Sequence, residues 1–192
     1  MNILQKTDMK RTVIHALAAI TVLVAGLSCT KESLELEYTR QEDNIDKYIT
    51  NLLKQDTTMR VTYNGGASRV TLKAGEGPAL EDGNNVSFFW GGYIFTNNFN
   101  KNNLFQTNDI EQAKASGWDT SDESRFQVLN INLGEYPMIE GLRNGLVGVK
   151  EGEECYIIFS GKRGFGNRSV GRIPSNSALL YYVKVQFVGS NQ

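Results

Sequence analysis

Histidine and cysteine, the side chains that most readily serve as a general base or a nucleophile near neutral pH, are scarce in this chain. The 192 residues include one histidine, His15, and two cysteines, Cys29 and Cys155. His15 lies in an N-terminal stretch with the features of a removable export signal, and without that stretch the chain has no imidazole. A Ser-His-Asp triad, a Cys-His pair and a histidine-ligated metal would then be impossible. Any catalysis by the processed chain therefore has to proceed without histidine.

The N-terminal stretch is organised like a secretory signal peptide. Lys10 and Arg11 precede an apolar run over residues 13–27. That run is shorter than the roughly 20 residues that a membrane-spanning helix needs. A basic start, a short apolar middle and small residues at the end are typical of a signal peptide, so we predict one over residues 1–28.

The apolar run ends in Ala25-Gly26-Leu27-Ser28-Cys29, which resembles the lipobox of bacterial lipoproteins. Gly26 stands where that motif usually has leucine. We expect Cys29 to become the lipidated N-terminus, which predicts an outer-membrane lipoprotein of the bacterial cell envelope, attached to the membrane through this lipid anchor. An ordinary cleavage site beside a chance cysteine is the alternative.

The second cysteine, Cys155, is followed by Tyr156-Ile157-Ile158-Phe159. This apolar run is typical of a buried strand, so we expect an inert thiol rather than a nucleophile. If Cys29 carries lipid, Cys155 has no partner in the chain. A Cys29–Cys155 disulfide is the alternative.

The overall composition is that of an ordinary globular protein. Hydrophobic residues make up 40% of the chain and aromatic residues 10%, which can fill a core in one or two domains. The formal net charge of −1 argues against nucleic acid as a partner. Four basic residues lie in one glycine-rich loop over residues 161–176, which we interpret as a solvated loop: Lys162, Arg163, Arg168 and Arg172.

The residues after Cys29 predict a tether followed by a helix. Residues 30–38 have the composition of a polar tether, and Thr39-Arg40-Gln41-Glu42 fits a capping box. Apolar residues then recur at helical spacing, which predicts a helix over residues 40–55. They are Ile45, Tyr48, Ile49, Leu52 and Leu53. The tether and helix together span residues 29–58, and residues 59–190 form the main domain.

From Met59 onward the apolar residues alternate with a period of two, which predicts strands. The strand patterns lie around Val61 and Tyr63, around Val70 and Leu72, and over residues 86–95, 128–133, 154–160 and 179–188. A polar loop over 97–122 with a short helix near 110–115 separates two of them, and a second short helix is predicted over 138–146. Because the repeated βαβ rhythm of a parallel sheet is missing, we expect an antiparallel α+β fold.

An ordered set of short motifs resembles the FKBP-type peptidyl-prolyl cis-trans isomerase family. The resemblance covers about residues 75–188, and its motifs follow one another in the family's order. The motifs are Gly77-Pro78, residues 83–92, Leu133-Gly134, Ile139-Glu140-Gly141, residues 145–153, Gly164-Phe165-Gly166, and Ile173-Pro174 through Leu179.

The resemblance implies a twisted antiparallel sheet wrapped around one short helix, with a proline-binding apolar pocket between them and no cofactor. Carried over by position, it implies a catalytic set and a substrate-binding set. The catalytic set is Trp90, Phe105, Ile139, Phe165 and Tyr181. The substrate-binding set is Gln106, Leu129, Met138, Leu142 and Ile173.

Three of these positions depart from the family pattern. Gln106 replaces an acidic residue, Leu142 replaces the tryptophan of the pocket floor, and Phe165 replaces a tyrosine. Two functions are therefore compatible with this pocket. One is an isomerase acting on proline-containing segments of peptides or unfolded proteins. The other is a catalytically degenerate lipoprotein that binds a peptide, protein or glycan.

Overall fold

The computed structural model describes residues 31–189, which form a seven-stranded antiparallel sheet with three α-helices. The strands are β1 (Arg60–Asn64), β2 (Ala67–Lys73), β3 (Asn85–Ile94), β4 (Leu104–Thr107), β5 (Leu129–Asn132), β6 (Glu154–Phe159) and β7 (Leu179–Gly189). The helices are α1 (31–55), α2 (Ile110–Ala115) and α3 (Glu140–Leu146), and short 3-10 turns lie at Lys101–Asn103, Glu123–Arg125 and Gly161–Arg163.

The sheet order is β1-β2-β6-β7-β3-β4, with β5 paired to β3. Strand β3 pairs with β7 along its whole length. Its other edge is shared, because β5 pairs with its first half and β4 with its second half. This arrangement confirms the predicted α+β fold with an antiparallel sheet.

The strict alternation of side chains along β6 and β7 creates two apolar cores on opposite faces of the sheet. The inner core, which α3 covers, includes Ile157, Phe159 and Tyr181. The outer core, which the apolar face of α1 covers, includes Ile158 and Leu180. Both faces of the central strands are therefore buried.

Helix α3 packs closely on β6 because two glycines face the sheet. A Cβ atom on Gly141 would overlap the ring of Phe159, and one on Gly145 would overlap the side chain of Ile157. The two glycines are four residues apart and so lie on one side of the helix. They allow the backbone of α3 to approach β6 closely.

Two expectations about the N-terminal segment are wrong. Residues 31–38 are helical and do not form a polar tether. Thr39 is inside the helix rather than at its cap, since its hydroxyl donates to the Glu35 carbonyl oxygen at 3.0 Å. The physical reason is that residues 31–55 contain no glycine or proline and many strong helix formers.

The chain divides into two compact units, Met1–Arg40 and Gln41–Gln192. In the second unit, Ile45 and Ile49 of α1 are buried in the outer core, with Tyr48, Leu52 and Leu53 packed around them. The predicted apolar face of this helix is confirmed. No helix among residues 31–189 is long and apolar enough to cross a membrane.

Cys155 is a free and fully buried thiol on β6. Burial raises the pKa of this thiol well above its usual range, so it stays protonated and unreactive. The prediction of an inert strand thiol is confirmed. Cys29 and the predicted signal peptide lie outside the described residues.

Candidate functional site

A cavity of about 560 Å³ is lined by residues of α3, the sheet and the loop after β6. Tyr181 on β7 is one of its lining residues and contacts two further aromatic rings. Its ring is 5.5 Å from that of Trp90 on β3 and stacks at 5.9 Å on Phe159 of β6. The lining residues are Phe88, Trp90, Leu129, Tyr136, Pro137, Met138, Ile139, Glu140, Leu142, Gly164, Phe165, Arg168 and Tyr181.

Trp90 is held in place by Asn108, which follows β4. The Trp90 backbone N–H donates to the Asn108 Oδ1 atom at 2.6 Å, and the Asn108 N–H donates to the Trp90 carbonyl at 3.2 Å. The Asn108 side-chain amide also donates to the carbonyls of Phe88 and Gln127, at 3.3 and 2.9 Å. Asn108 therefore makes four hydrogen bonds just after the end of β4, two of them to the backbone of Trp90.

The start of α3 presents a free backbone donor to the cavity. Ile139 is the N-cap residue, with extended backbone angles (φ −66°, ψ 146°) and no side-chain capping bond. Its carbonyl accepts from the Arg143 N–H, but its own N–H donates to no group among residues 31–189. A buried or partly buried N–H without an acceptor is unusual, so this donor is available to a ligand carbonyl.

Helix α3 begins at Glu140, two residues later than predicted. The segment before it, which carries Met138, stays extended because Pro137 and the Ile139 cap precede the first turn. Arg143 fixes this segment by donating hydrogen bonds to the carbonyls of Leu133 and Tyr136.

The loop between β6 and β7 forms the third wall and carries Phe165. Its two ends are joined by the side chain of Gln41 on α1. The Gly161 N–H donates to the Gln41 Oε1 atom at 2.8 Å, and the Gln41 amide donates to the Asn176 carbonyl at 2.7 Å. The Asn176 N–H in turn donates to the Gly166 carbonyl at 2.6 Å. Helix α1 therefore stabilises the loop through the side chain of Gln41.

The structure brings seven of the ten sequence-predicted pocket residues to the cavity lining. They are Trp90, Leu129, Met138, Ile139, Leu142, Phe165 and Tyr181. Their individual roles in binding or catalysis stay predictions.

Three predicted residues do not line the cavity. Phe105 packs edge-on against Tyr181 at 5.9 Å but is not one of the lining residues. Gln106 is exposed at the end of β4. Ile173 is buried in the inner core, because a bridge between Val170 and Ile173 turns the loop inward there.

The sequence reasoning missed several lining residues, chiefly Tyr136, Glu140 and Arg168. Tyr136 and Glu140 flank the predicted Met138-Ile139 pair, so adjacency was an available signal. The sequence pattern places Arg168 only in a basic, solvated loop. No local pattern indicates which of the four basic residues faces the cavity.

The Tyr181 phenol of the cavity is not suited to proton transfer near neutral pH. Burial raises the pKa of the Tyr181 phenol far above its usual range, so this hydroxyl stays protonated. The Glu140 carboxylate is ion-paired with Arg163 at 2.5 Å. Among residues 31–189, no group of three or more His, Cys, Asp or Glu side chains is arranged to hold a metal ion.

An antiparallel sheet closed over one short helix, with an aromatic cavity between them, defines the class of FKBP-like folds. The family model for FKBP-type peptidyl-prolyl cis-trans isomerases matches residues 90–186 of this chain. The chain therefore belongs to the FKBP-type peptidyl-prolyl cis-trans isomerase family, a family of enzymes.

Curated relatives agree with this assignment. FK506-binding protein 1 of Aspergillus oryzae is 26% identical over 120 residues, which cover 62% of this chain and 96% of the relative. FK506-binding protein 1 of Gibberella zeae is 28% identical over 125 residues, covering 65% of this chain and 99% of the relative.

Solved structures share the fold. FkpA from Escherichia coli superposes with a TM-score of 0.53 at 20% identity, covering 93% of this chain and 72% of that one. A peptidyl-prolyl cis-trans isomerase from Pseudomonas syringae pv. tomato gives a TM-score of 0.55 at 14% identity, covering 81% of this chain and 96% of that one.

Proposed function

We propose that this protein catalyses cis–trans isomerisation of X-Pro bonds in the cavity lined by Tyr181, acting on proline-containing peptide segments and unfolded proteins in the bacterial cell envelope. The observation that carries the proposal is the open aromatic cavity beside the unpaired Ile139 N–H. Apolar walls suit a proline ring, and one fixed donor suits the carbonyl next to it.

Catalysis of this reaction requires no titrating group. Rotation about a prolyl bond is slow because amide resonance opposes it, with a barrier of about 20 kcal/mol. Resonance places partial charge on the carbonyl oxygen and the nitrogen, and water stabilises that charge. Moving the bond into an apolar cavity weakens this stabilisation, so the twisted form becomes easier to reach.

The cavity accelerates the reaction if it binds the twisted bond more tightly than either planar isomer. The rings of Trp90, Phe165 and Tyr181 surround the proline, and the Ile139 N–H donates to the proline's own carbonyl, which is not part of the rotating amide. The Tyr181 hydroxyl makes no hydrogen bond among residues 31–189 and supplies a second donor. No bond forms or breaks, so a chain without a catalytic histidine can perform the reaction.

A direct test uses a short peptide with one X-Pro bond and measures its relaxation from cis to trans without a coupled protease. We expect acceleration at micromolar wild-type protein. Trp90→Ala should lower kcat/KM at least tenfold, because it removes one wall of the cavity. Phe99→Ala is the matched control, since Phe99 is an aromatic residue of the outer core against Tyr93 and Tyr156, outside the cavity.

A binder that has lost isomerase activity is the second candidate, and the altered polar contacts favour it. Phe165 lacks the hydroxyl that the resemblance implies, and Gln106 is both uncharged and outside the lining. A hydrogen bond contributes about 0.5–1.5 kcal/mol, so losing two would slow turnover roughly ten- to hundredfold without abolishing it. Peptide binding with no acceleration at any protein concentration would decide for the binder.

We also propose that the protein is an outer-membrane lipoprotein anchored through a lipid on Cys29. The support is the basic start, the short apolar run and the small residues that end at Cys29. In cells fed a radiolabelled fatty acid, the wild-type protein should take up label and fractionate with the outer membrane. Cys29→Ser should abolish labelling. Labelling that persists in this variant would exclude Cys29 as the anchor.

A further inference from the structure

Two charged side chains line the cavity, and only one of them is neutralised. The Glu140 carboxylate is ion-paired with Arg163. Arg168, on the loop after β6, is exposed and forms no ion pair with any residue of the described range 31–189. The mouth of the cavity therefore carries one uncompensated positive charge.

The Arg168 guanidinium is bound to its own loop through the Nε atom only. The Arg168 backbone N–H donates to the Phe165 carbonyl at 3.3 Å, and the Arg168 Nε donates to the same oxygen at 3.5 Å. The two terminal nitrogens make no hydrogen bond within residues 31–189. A guanidinium with its terminal N–H groups free matches the two oxygens of a carboxylate in a bidentate pair.

We propose that Arg168 is a specificity-determining residue that makes this protein prefer X-Pro segments with an acidic side chain next to the proline. The inference rests on the proposed isomerase function, because it places the proline in the cavity beside Phe165. A residue immediately before or after that proline then lies at the mouth, where Arg168 can bind its carboxylate. Glu140 adds no opposing preference, because Arg163 already pairs with it.

The size of the effect follows from the exposure of Arg168. Ion pairs between exposed groups are weak, so the preference should be about two- to fivefold rather than a hundredfold. It should also fall as salt is added, because dissolved ions weaken the attraction between solvent-exposed charges.

The test compares blocked tetrapeptides that differ only in Glu against Gln. One pair, Ala-Glu-Pro-Phe and Ala-Gln-Pro-Phe, varies the residue before proline. The other pair, Ala-Leu-Pro-Glu and Ala-Leu-Pro-Gln, varies the residue after it. We expect wild-type kcat/KM to favour Glu by about two- to fivefold in at least one pair. In Arg168→Gln that ratio should fall to about one, and in Arg168→Glu it should invert.

Arg172→Gln is the matched control. Arg172 lies in the same loop and carries the same charge, but its guanidinium sits over the Trp118 ring at 5.9 Å and does not line the cavity. This variant should keep the wild-type Glu/Gln ratio. The inference is overturned if neither pair shows a preference for Glu, or if Arg172→Gln abolishes the preference as fully as Arg168→Gln.

The design separates this inference from the function on which it rests. If both Gln peptides are isomerised but Glu gives no advantage, only the role of Arg168 is wrong. If no peptide of the set is isomerised, the proposed isomerase function is wrong and the role of Arg168 falls with it.

Discussion

Phe165 contributes an aromatic ring to the cavity but no hydroxyl. It differs from the tyrosine of the family pattern by a single oxygen atom. We predict that Phe165→Tyr raises kcat/KM for a Leu-Pro peptide by about two- to tenfold. The reason is that one added hydrogen bond contributes roughly 0.5–1.5 kcal/mol. The measurement is cis–trans relaxation with wild-type and variant side by side.

The comparison needs a control for packing. Phe165→Leu keeps an apolar side chain but removes the ring, so it should lower kcat/KM. If Phe165→Tyr folds normally and leaves kcat/KM unchanged, the hydroxyl has no role in this cavity.

The protonated Tyr181 phenol predicts a flat pH profile for the reaction. Burial raises the pKa of Tyr181, so its phenol is protonated throughout the neutral range, and the described residues include no histidine. For a blocked peptide without ionisable side chains, kcat/KM should vary less than about twofold between roughly pH 6 and pH 9. A bell-shaped profile in this range would show that a proton transfer limits the reaction.

At the residue scale, the sequence could predict the apolar members of the cavity better than its polar members. Trp90, Tyr181 and Ile139 reach the lining because strand alternation and the helix start fix them. Arg168 lies on an irregular loop, where the position of a residue along the chain does not indicate the direction of its side chain. Asn108 acts through backbone hydrogen bonds that a sequence pattern does not reveal.

At the element scale, the position of α3 depends on the two glycines that face β6. We predict that Gly145→Ala destabilises the protein by about 1–3 kcal/mol, because the added methyl group overlaps Ile157 in a well-packed core. The predicted loss of stability is opposite in sign to the effect of helix propensity. Helix propensity favours alanine over glycine by roughly 1 kcal/mol in a helix interior. Urea unfolding measures the difference.

An unchanged m-value would show that the two proteins unfold between similar states, so that the shift in midpoint reports stability. A Gly145→Ala variant as stable as the wild type, or more stable, would mean that α3 is not held at close range by this glycine.

The element boundaries show which local signals are strong. Strands β3, β6 and β7 were predictable from alternation and composition, and α2 lies where a short helix was expected. The capping box at Thr39 was misleading, since the same four residues also fit a helix interior. Only the uninterrupted run of helix formers on both sides decides between these two interpretations, and it favours one continuous helix.

At the scale of the whole molecule, the sheet separates the cavity from α1, but Gln41 connects them. Its amide bridges the Gly161 N–H and the Asn176 carbonyl, which are the two ends of the loop that carries Phe165. We predict that Gln41→Ala raises KM about two- to tenfold with a smaller change in kcat, since each lost hydrogen bond contributes about 0.5–1.5 kcal/mol to holding this loop.

Hydrogen exchange should increase at the amide of Gly161 and at its neighbours in the loop, because the acceptor for this N–H is removed. Gln55→Ala is the matched control, since Gln55 is an exposed glutamine of α1 that does not contact the loop. Equal effects of the two substitutions would contradict a specific role for Gln41. The link itself joins residues 120 positions apart in the chain, so no local pattern could predict it.

The central claim is that the cavity both binds an X-Pro segment and speeds its rotation. Exchange NMR on a blocked Ala-Leu-Pro-Phe peptide tests both parts in one sample. With substoichiometric protein, we expect cross peaks between cis and trans signals at mixing times of about a second, whereas the free peptide exchanges over roughly 10–100 s. Peptide signals that broaden or shift on binding, without exchange peaks even at equimolar protein, would contradict the account.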